Sequence, residues 1–359
     1  WQVSVIEQGR GVGAGASGLP AGLAAPHVSP DDSVLSRITR AGVRATLQRA
    51  GQCLLPGTDW APTGVLEHRM EGKRGLPIGE AWPASAHEWS THATAQQRAE
   101  AGLPAEAPAL WHGLAGWIRP RQLVAAQLGS PGIRVLWDQK VQAIERQGAV
   151  WRVTDTAGQT LGQAPLLVVA SGFDSLALLR HLPGFALPFN PLRGQISFGL
   201  MAELSPQQRA LLPPYPVNGH GSFVSGVPTP EGPPGWYIGA TFERQCEQAP
   251  VRPEDHAANQ QRLATLLPRL GEAMQSQFDP AQVRGWAGLR CTLPDRLPAV
   301  GPLDSAHLPG LWVCAGMGAR GISLAVLCGE LTAAWLENEP LPLAPSLARH
   351  LAADRFIHT

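Results

Sequence analysis

Apolar and polar residues alternate in the opening stretch WQVSVIEQG, with Val3, Val5 and the less regular Ile6 at the apolar positions, and the run closes on Glu7 and Gly9. A period of two predicts a strand. Residues 9–30, GRGVGAGASGLPAGLAAPHVSP, carry no period at all. Glycine and alanine dominate, which suits a backbone passing close to a ligand and equally suits a surface loop. From residue 33 the period lengthens: Val34, Leu35, Ile38, Ala41, Val43 and Leu47 recur at roughly helical spacing, while Arg37, Arg40, Arg44 and Arg49 mostly decorate the other face. Those arginines are a candidate basic patch or an ordinary solvated helix surface.

Residues 60–116 read as an irregular stretch rich in Trp, Pro and Ala, and GWIRPRQLVAAQLG (116–129) as a helix with Pro120 near its start. Residues 132–172 alternate like paired strands and end on a continuous apolar run, Leu166 to Ala170, before Ser171 and Gly172. Such a run predicts a buried parallel strand, whose carboxyl end is a common ligand-facing edge of an α/β sheet. That makes Ala170, Ser171 and Gly172 site candidates. Between 191 and 243 short strands separated by Gly and Pro predict a mainly antiparallel sheet, followed by a helix from Pro253. GWAGLRCTLPDRLPAVGPL then reads as a return to the first unit.

Residues 311–336, LWVCAGMGARGISLAVLCGELTAAWL, predict strand, turn and helix, with G-x-G-x-x-G at Gly316, Gly318 and Gly321. A dinucleotide fingerprint also needs a second parallel strand ending in an acidic residue about 20 positions on. Glu337 and Glu339 stand there, but Pro340, Pro342 and Pro345 forbid a central strand. The loop is therefore expected to serve another purpose. Glu7 is better placed for the ribose role if it ends a second Rossmann strand, the alternative for the segment alone being an edge strand that ends in an ordinary solvated Glu. The first strand and its glycine loop would then lie before residue 1.

The 28 basic and 28 acidic side chains balance, so no global field draws the chain to nucleic acid or to a membrane surface. Cysteines 53, 246, 291, 314 and 328 form no pair of metal-ligand spacing, so no metal is expected and they read as reduced, buried thiols in a cytoplasmic protein. The longest apolar stretch is interrupted by Arg320 and Glu330, and no signal peptide is visible, so no membrane association is expected.

In order along the chain, IEQ, GASG with GLAAPHVSP, GWIRPRQL, VVASG, PLRGQIS, IGATFER, GLRCTLPDRLPAVG and GMGARGISLAVLCGELTAAWLENEPLPL together resemble the D-amino acid oxidase-like flavoprotein superfamily. Within it the pattern is most similar to the FAD-dependent oxidase half of the bifunctional tRNA 5-methylaminomethyl-2-thiouridine biosynthesis family. The resemblance implies an α/β fold. A Rossmann-like FAD-binding domain, without its first strand and glycine loop in this chain, would span 1–60, 115–190 and 285–359. A mainly antiparallel substrate domain would span 61–114 and 191–284. It also implies a flavin amine oxidase that takes the carboxymethyl group from 5-carboxymethylaminomethyl(-2-thio)uridine at the tRNA wobble position. A methyltransferase half on the same or another polypeptide would act next.

For the site, the resemblance implies that Arg290 grips a substrate carboxylate, with a structural ion pair to Asp295 as its alternative. Arg320 in the glycine turn faces the flavin or, alternatively, RNA phosphate, and Tyr237 lines the substrate cavity unless it is core. Cofactor contacts are implied for Glu7, Ala16, Ser17, Gly18, Gly22, Val141, Ala170, Ser171 and Gly172. Gly316, Met317, Gly318, Gly321 and Ile322 would lie against the isoalloxazine. His27, His220 and His307 show no triad or metal spacing and read as structural or surface residues. A small-molecule oxidase of the glycine or sarcosine type and a non-catalytic flavin-fold remnant remain open.

Overall fold

The computed structural model describes residues 1–69, 84–185 and 187–356. Strand Val3–Ile6 pairs in parallel with Ile133–Leu136. Strand Leu167–Val169 pairs in parallel with Leu311–Ala315, whose other side takes Ala299–Pro302 antiparallel. These two pieces carry the carboxyl ends at which an α/β sheet binds ligands. Val3–Ile6 and Leu167–Val169 are both edge strands among the described residues. Gln8 Nε2 donates to Asp174 Oδ2 at 2.7 Å and ties the two carboxyl ends together. The apolar run at 166–170 is thus an edge strand rather than a fully covered one, and Val168 in its middle is 37% exposed.

The predicted helices form as Val34–Cys53 and Gly321–Glu337. Ser33 caps the first, its side chain accepting the Ser36 N–H. Cys53, expected to be buried, is exposed at its far end. Ile38, Val43, Leu324, Leu327 and Leu331 share one core, each fully buried side chain contributing about 1.5–3 kcal/mol. The helices approach closely because Gly42 has no Cβ to meet the Ser323 carbonyl, and Thr46 Oγ1 donates to Ile322 O at 2.8 Å. Gly318–Glu337 is apolar and long enough to cross a membrane by composition alone, but here its apolar residues build the seam with Val34–Cys53. Asn338, in the left-handed region, ends the helix, and no strand follows it among the described residues.

The large sheet runs in the order Glu243–Arg244, Asn190–Leu200, Pro234–Gly239, Gly221–Pro228, Val217–Gly219, Val65–His68, Ala109–His112, Thr91–His92. Arg284–Thr292 pairs with Asn190–Leu200 along its length, so the chain leaves this sheet only after residue 292. Residues 60–116 are more regular than their composition suggests, since Val65–His68 and Ala109–His112 are interior strands. Gly116–Ile118 is likewise a strand, pairing with Gly22–Ala24 and Trp60–Ala61 before the helix Pro120–Leu128.

Side chains of Asn190–Leu200 alternate between two faces. Buried Arg193, Gln195 and Ser197 meet the helix Pro253–Leu266: Arg193 Nη1 donates to Asp255 Oδ2 at 2.7 Å and Asn259 Nδ2 to Ser197 Oγ at 3.1 Å. Leu192, Gly194 and Ile196 therefore face the other way.

Candidate active site

On that other face Gly194 stands opposite Gly288, Leu192 opposite Arg290 and Ile196 opposite Trp286. A Cβ on Gly194 would come within 2.8 Å of Cζ and Nη2 of Arg290, and one on Gly288 within 2.8 Å of Cζ2 of Trp286. The guanidinium and the indole thus lie over two paired glycines. Arg290 Nη1 is buried without a hydrogen-bond partner. Asp295 does not answer it, because that carboxylate accepts from Arg355 Nε at 2.9 Å. Burial alone pulls the Arg290 pKa down to about 10, which leaves it cationic at neutral pH and in want of an anion. The Phe242 ring covers the guanidinium face, its centroid 5.2 Å from Cζ.

Three short segments converge on the strand Arg284–Thr292: Ala16–Gly18, Gly172–Asp174 and Gly318–Arg320. All three include residues singled out in the sequence, and two of them reach the strand through a glycine. A Cβ on Gly18 would lie 3.3 Å from Trp286 Nε1, and one on Gly318 3.4 Å from Thr292 Cγ2. Gly172, Gly316 and Gly318 have φ of +60°, +80° and +56°, which glycine adopts without strain. Gly22 packs directly on Ile322, where a Cβ would collide. Arg320 is partly buried, and its side chain has no hydrogen bond or ion pair among the described residues; burial, then Arg296, lowers its pKa.

Residues 1–335 match the family described as FAD dependent oxidoreductase (DAO). The chain belongs to this family. It is 46% identical over 99% of its length to the tRNA 5-methylaminomethyl-2-thiouridine biosynthesis bifunctional protein MnmC of Verminephrobacter eiseniae, and 48% identical over 99% to that of Delftia acidovorans. It spans 60% and 57% of those two proteins. Among solved structures, glycine oxidase from Geobacillus kaustophilus superposes with a TM-score of 0.69 at 21% identity, covering 94% of this chain and 88% of that one. Iminodiacetate oxidase from Chelativorans sp. BNC1 gives 0.71 at 18%, covering 98% and 92%. At such identities the likeness concerns the fold, which is the α/β, DAO-type fold expected.

The residues present fit the family's cofactor. Gly18, Gly22, Gly316 and Gly318 let their loops pack closely on Gly13, Ile322, Leu293 and Thr292, and Ala16 and Ser17 beside them are exposed. The helix opening at Gly321 has no side-chain cap, so its N–H groups are free to face negative charge. Met317 and Ile322 anchor this turn by packing into the core. Glu7 follows Val3–Ile6, and its Oε1 accepts the Gly9 N–H at 2.7 Å, which turns the chain and fixes the carboxylate. Ala170 and Ser171 are exposed at the carboxyl end of Leu167–Val169, and Val141 packs into the cluster shared by Ile6 and Leu167.

Tyr237 does not join the Arg290 cavity. It is 2% exposed, stacks on Phe198 at 5.5 Å, and donates its hydroxyl to Pro228 O at 3.0 Å. It faces the site side of the sheet, but Leu23 and Trp117 of the small three-stranded sheet cover it, and burial raises its pKa. His27, read from the sequence as a structural or surface residue, is partly buried. Burial, then Arg320, lowers its pKa to about 4, so the imidazole is neutral at physiological pH. No spacing rule links residue 27 to 320. The available signal was its place in a small-residue loop, whose Ala25 carbonyl accepts from Ser323 Oγ at 3.4 Å. His307 pairs with Asp304 at 2.8 Å on the surface, and His220 lies 3.4 Å from Arg262 Nη1.

Proposed function

We propose that the chain is the FAD-dependent oxidase part of an MnmC-type tRNA-modifying enzyme. It removes the carboxymethyl group from 5-carboxymethylaminomethyl(-2-thio)uridine at the wobble position and leaves the 5-aminomethyl form. The name of the relatives supports the tRNA substrate, and one observation carries the chemistry: Arg290, whose Nη1 is buried without a partner, stands on the strand that all three glycine-bearing segments contact.

The substrate arm is a secondary amine ending in a carboxylate. Arg290 offers that carboxylate parallel N–H donors and so fixes the adjacent CH2 in one orientation. Arg320 and the nearby Arg296 add positive charge, which favours the neutral over the protonated amine. Bound FAD supplies a two-electron acceptor for the hydride that leaves the carboxymethyl carbon. Loss of that hydride and of the amine proton leaves a C=N bond. Water adds to the carbon, the C–N bond breaks, and glyoxylate departs while the amine stays on the uridine. Gly18, Gly22, Gly172, Gly316, Gly318 and Gly321 would let the backbone approach the cofactor, and Glu7 would take the ribose hydroxyls. The aminomethyl product then passes, in the cytoplasm, to a methyltransferase half on the same or another polypeptide.

The test is product analysis. An anticodon stem-loop carrying the carboxymethylaminomethyl uridine is incubated with the FAD-loaded protein, digested and analysed by mass spectrometry. Aminomethyluridine and one equivalent of glyoxylate are expected. An unchanged nucleoside, with glycine or sarcosine oxidised instead, would replace this reading with a small-molecule amine oxidase.

A further inference from the structure

We infer that Phe242 is a specificity-determining residue that stacks on the wobble nucleobase and so selects a nucleic-acid-borne amine over a free amino acid. The inference rests on the proposed function and concerns what the rim of that site recognises.

Phe242 is a large apolar side chain left 52% exposed, yet the backbone on both sides of it is pinned. Thr241 N donates to Gln195 O at 3.0 Å and Thr241 Oγ1 accepts from Gln195 N at 3.1 Å. Glu243 pairs with Arg193 in the sheet and accepts from Arg252 Nη1 at 2.8 Å. A ring held out on a fixed backbone gives up little entropy when it stacks. Its position adds meaning. The ring lies over the guanidinium face of Arg290, whose Nη1 is buried against Gly194 without a hydrogen-bond partner. The Trp286 indole lies beside that guanidinium on the paired glycines, so aromatic surface flanks the anion site on two sides.

A substrate with only a carboxylate and an amine would use the guanidinium edge and have no contact for the exposed ring. A uridine bearing that arm at its C5 presents both a carboxylate and a flat π face. Unpaired bases are held by aromatic side chains in this way, and truncating the aromatic costs about ten- to a hundredfold in affinity.

The experiment measures the affinity of the FAD-loaded protein for two probes, the modified anticodon stem-loop and sarcosine, in wild type, Phe242→Ala and Phe242→Leu. Flavin absorbance confirms that each variant is folded. Stem-loop affinity is expected to fall about ten- to a hundredfold in both variants. Sarcosine affinity is expected to hold in Phe242→Leu, which keeps an apolar cover over Arg290. Unchanged stem-loop affinity in the variants, or an equal loss for both probes in Phe242→Leu, would overturn the inference while leaving the proposed function standing. Wild type that binds sarcosine but not the stem-loop would overturn both.

Discussion

The Arg290 guanidinium rests on Gly194, two residues along the neighbouring strand from its own cross-strand partner Leu192, at a point where any Cβ would come within 2.8 Å of Cζ. The anchor is therefore set by an absence as much as by a side chain. Gly194→Ala should displace the guanidinium, raise the substrate concentration for half-maximal flavin reduction by about tenfold or more, and leave the flavin spectrum intact. Because the two residues touch, Gly194→Ala combined with Arg290→Ala should be far from additive. Rapid-reaction kinetics on the single and double variants check this; full additivity would separate Gly194 from the anchor.

Arg290→Ala removes a charged hydrogen-bond donor pair from the substrate carboxylate, a loss of about 2–4 kcal/mol in substrate binding. Arg290→Lys should recover only part of it, since an ammonium is a point charge without the planar fork. Titrating flavin reduction against substrate measures both, and wild-type behaviour in Arg290→Ala would remove this residue from the site.

The back of the same strand carries a different kind of charge. Arg193 is 1% exposed and bonded to Asp255, so Asp255→Ala leaves a buried cation short of its closest carboxylate. A loss of about 3 kcal/mol is expected, because breaking one side of a buried pair costs more than the pair contributes. Denaturant midpoints of wild type and variant give the number, and a change near zero would mean that Glu243, 3.6 Å away, replaces Asp255 fully.

What the sequence disclosed divides by the range of the interactions involved. The strand ending in Glu7, the helix Val34–Cys53 and the strand-turn-helix from Leu311 to Glu337 were legible because each is written in local periodicity. The strands Val65–His68 and Ala109–His112 were not, since four-residue strands among Trp and Pro leave no period to count. Placing Arg284–Thr292 in the large sheet requires its register with Asn190–Leu200, some ninety residues away, and no local pattern states a register. The same holds within the site. Arg290 and the glycine loops were found through a resemblance in short motifs, but the Gly194–Gly288 floor, the ring of Phe242 over Arg290 and the cover over Tyr237 exist only once strands are paired and layers stacked.

His27 gives a pH signature. Its folded pKa, about 4, lies below the ordinary 6.5, so between those values the unfolded chain binds a proton that the folded chain does not. This group's contribution is therefore absent above about pH 6.5, turns against the folded state as pH falls toward 4, and levels off below. His27→Gln should flatten that part of the stability profile relative to wild type. Thermal melts of both proteins between pH 7 and 4 check it, and parallel profiles would show that the imidazole titrates freely.

The most direct test of the central claim is anaerobic titration of the FAD-loaded protein while flavin absorbance is followed. Addition of the anticodon stem-loop bearing the carboxymethylaminomethyl uridine should bleach the flavin, with an Arg290→Ala variant needing far more of it and free glycine or sarcosine producing little change. Bleaching by the free amino acids with none from the stem-loop would contradict the account.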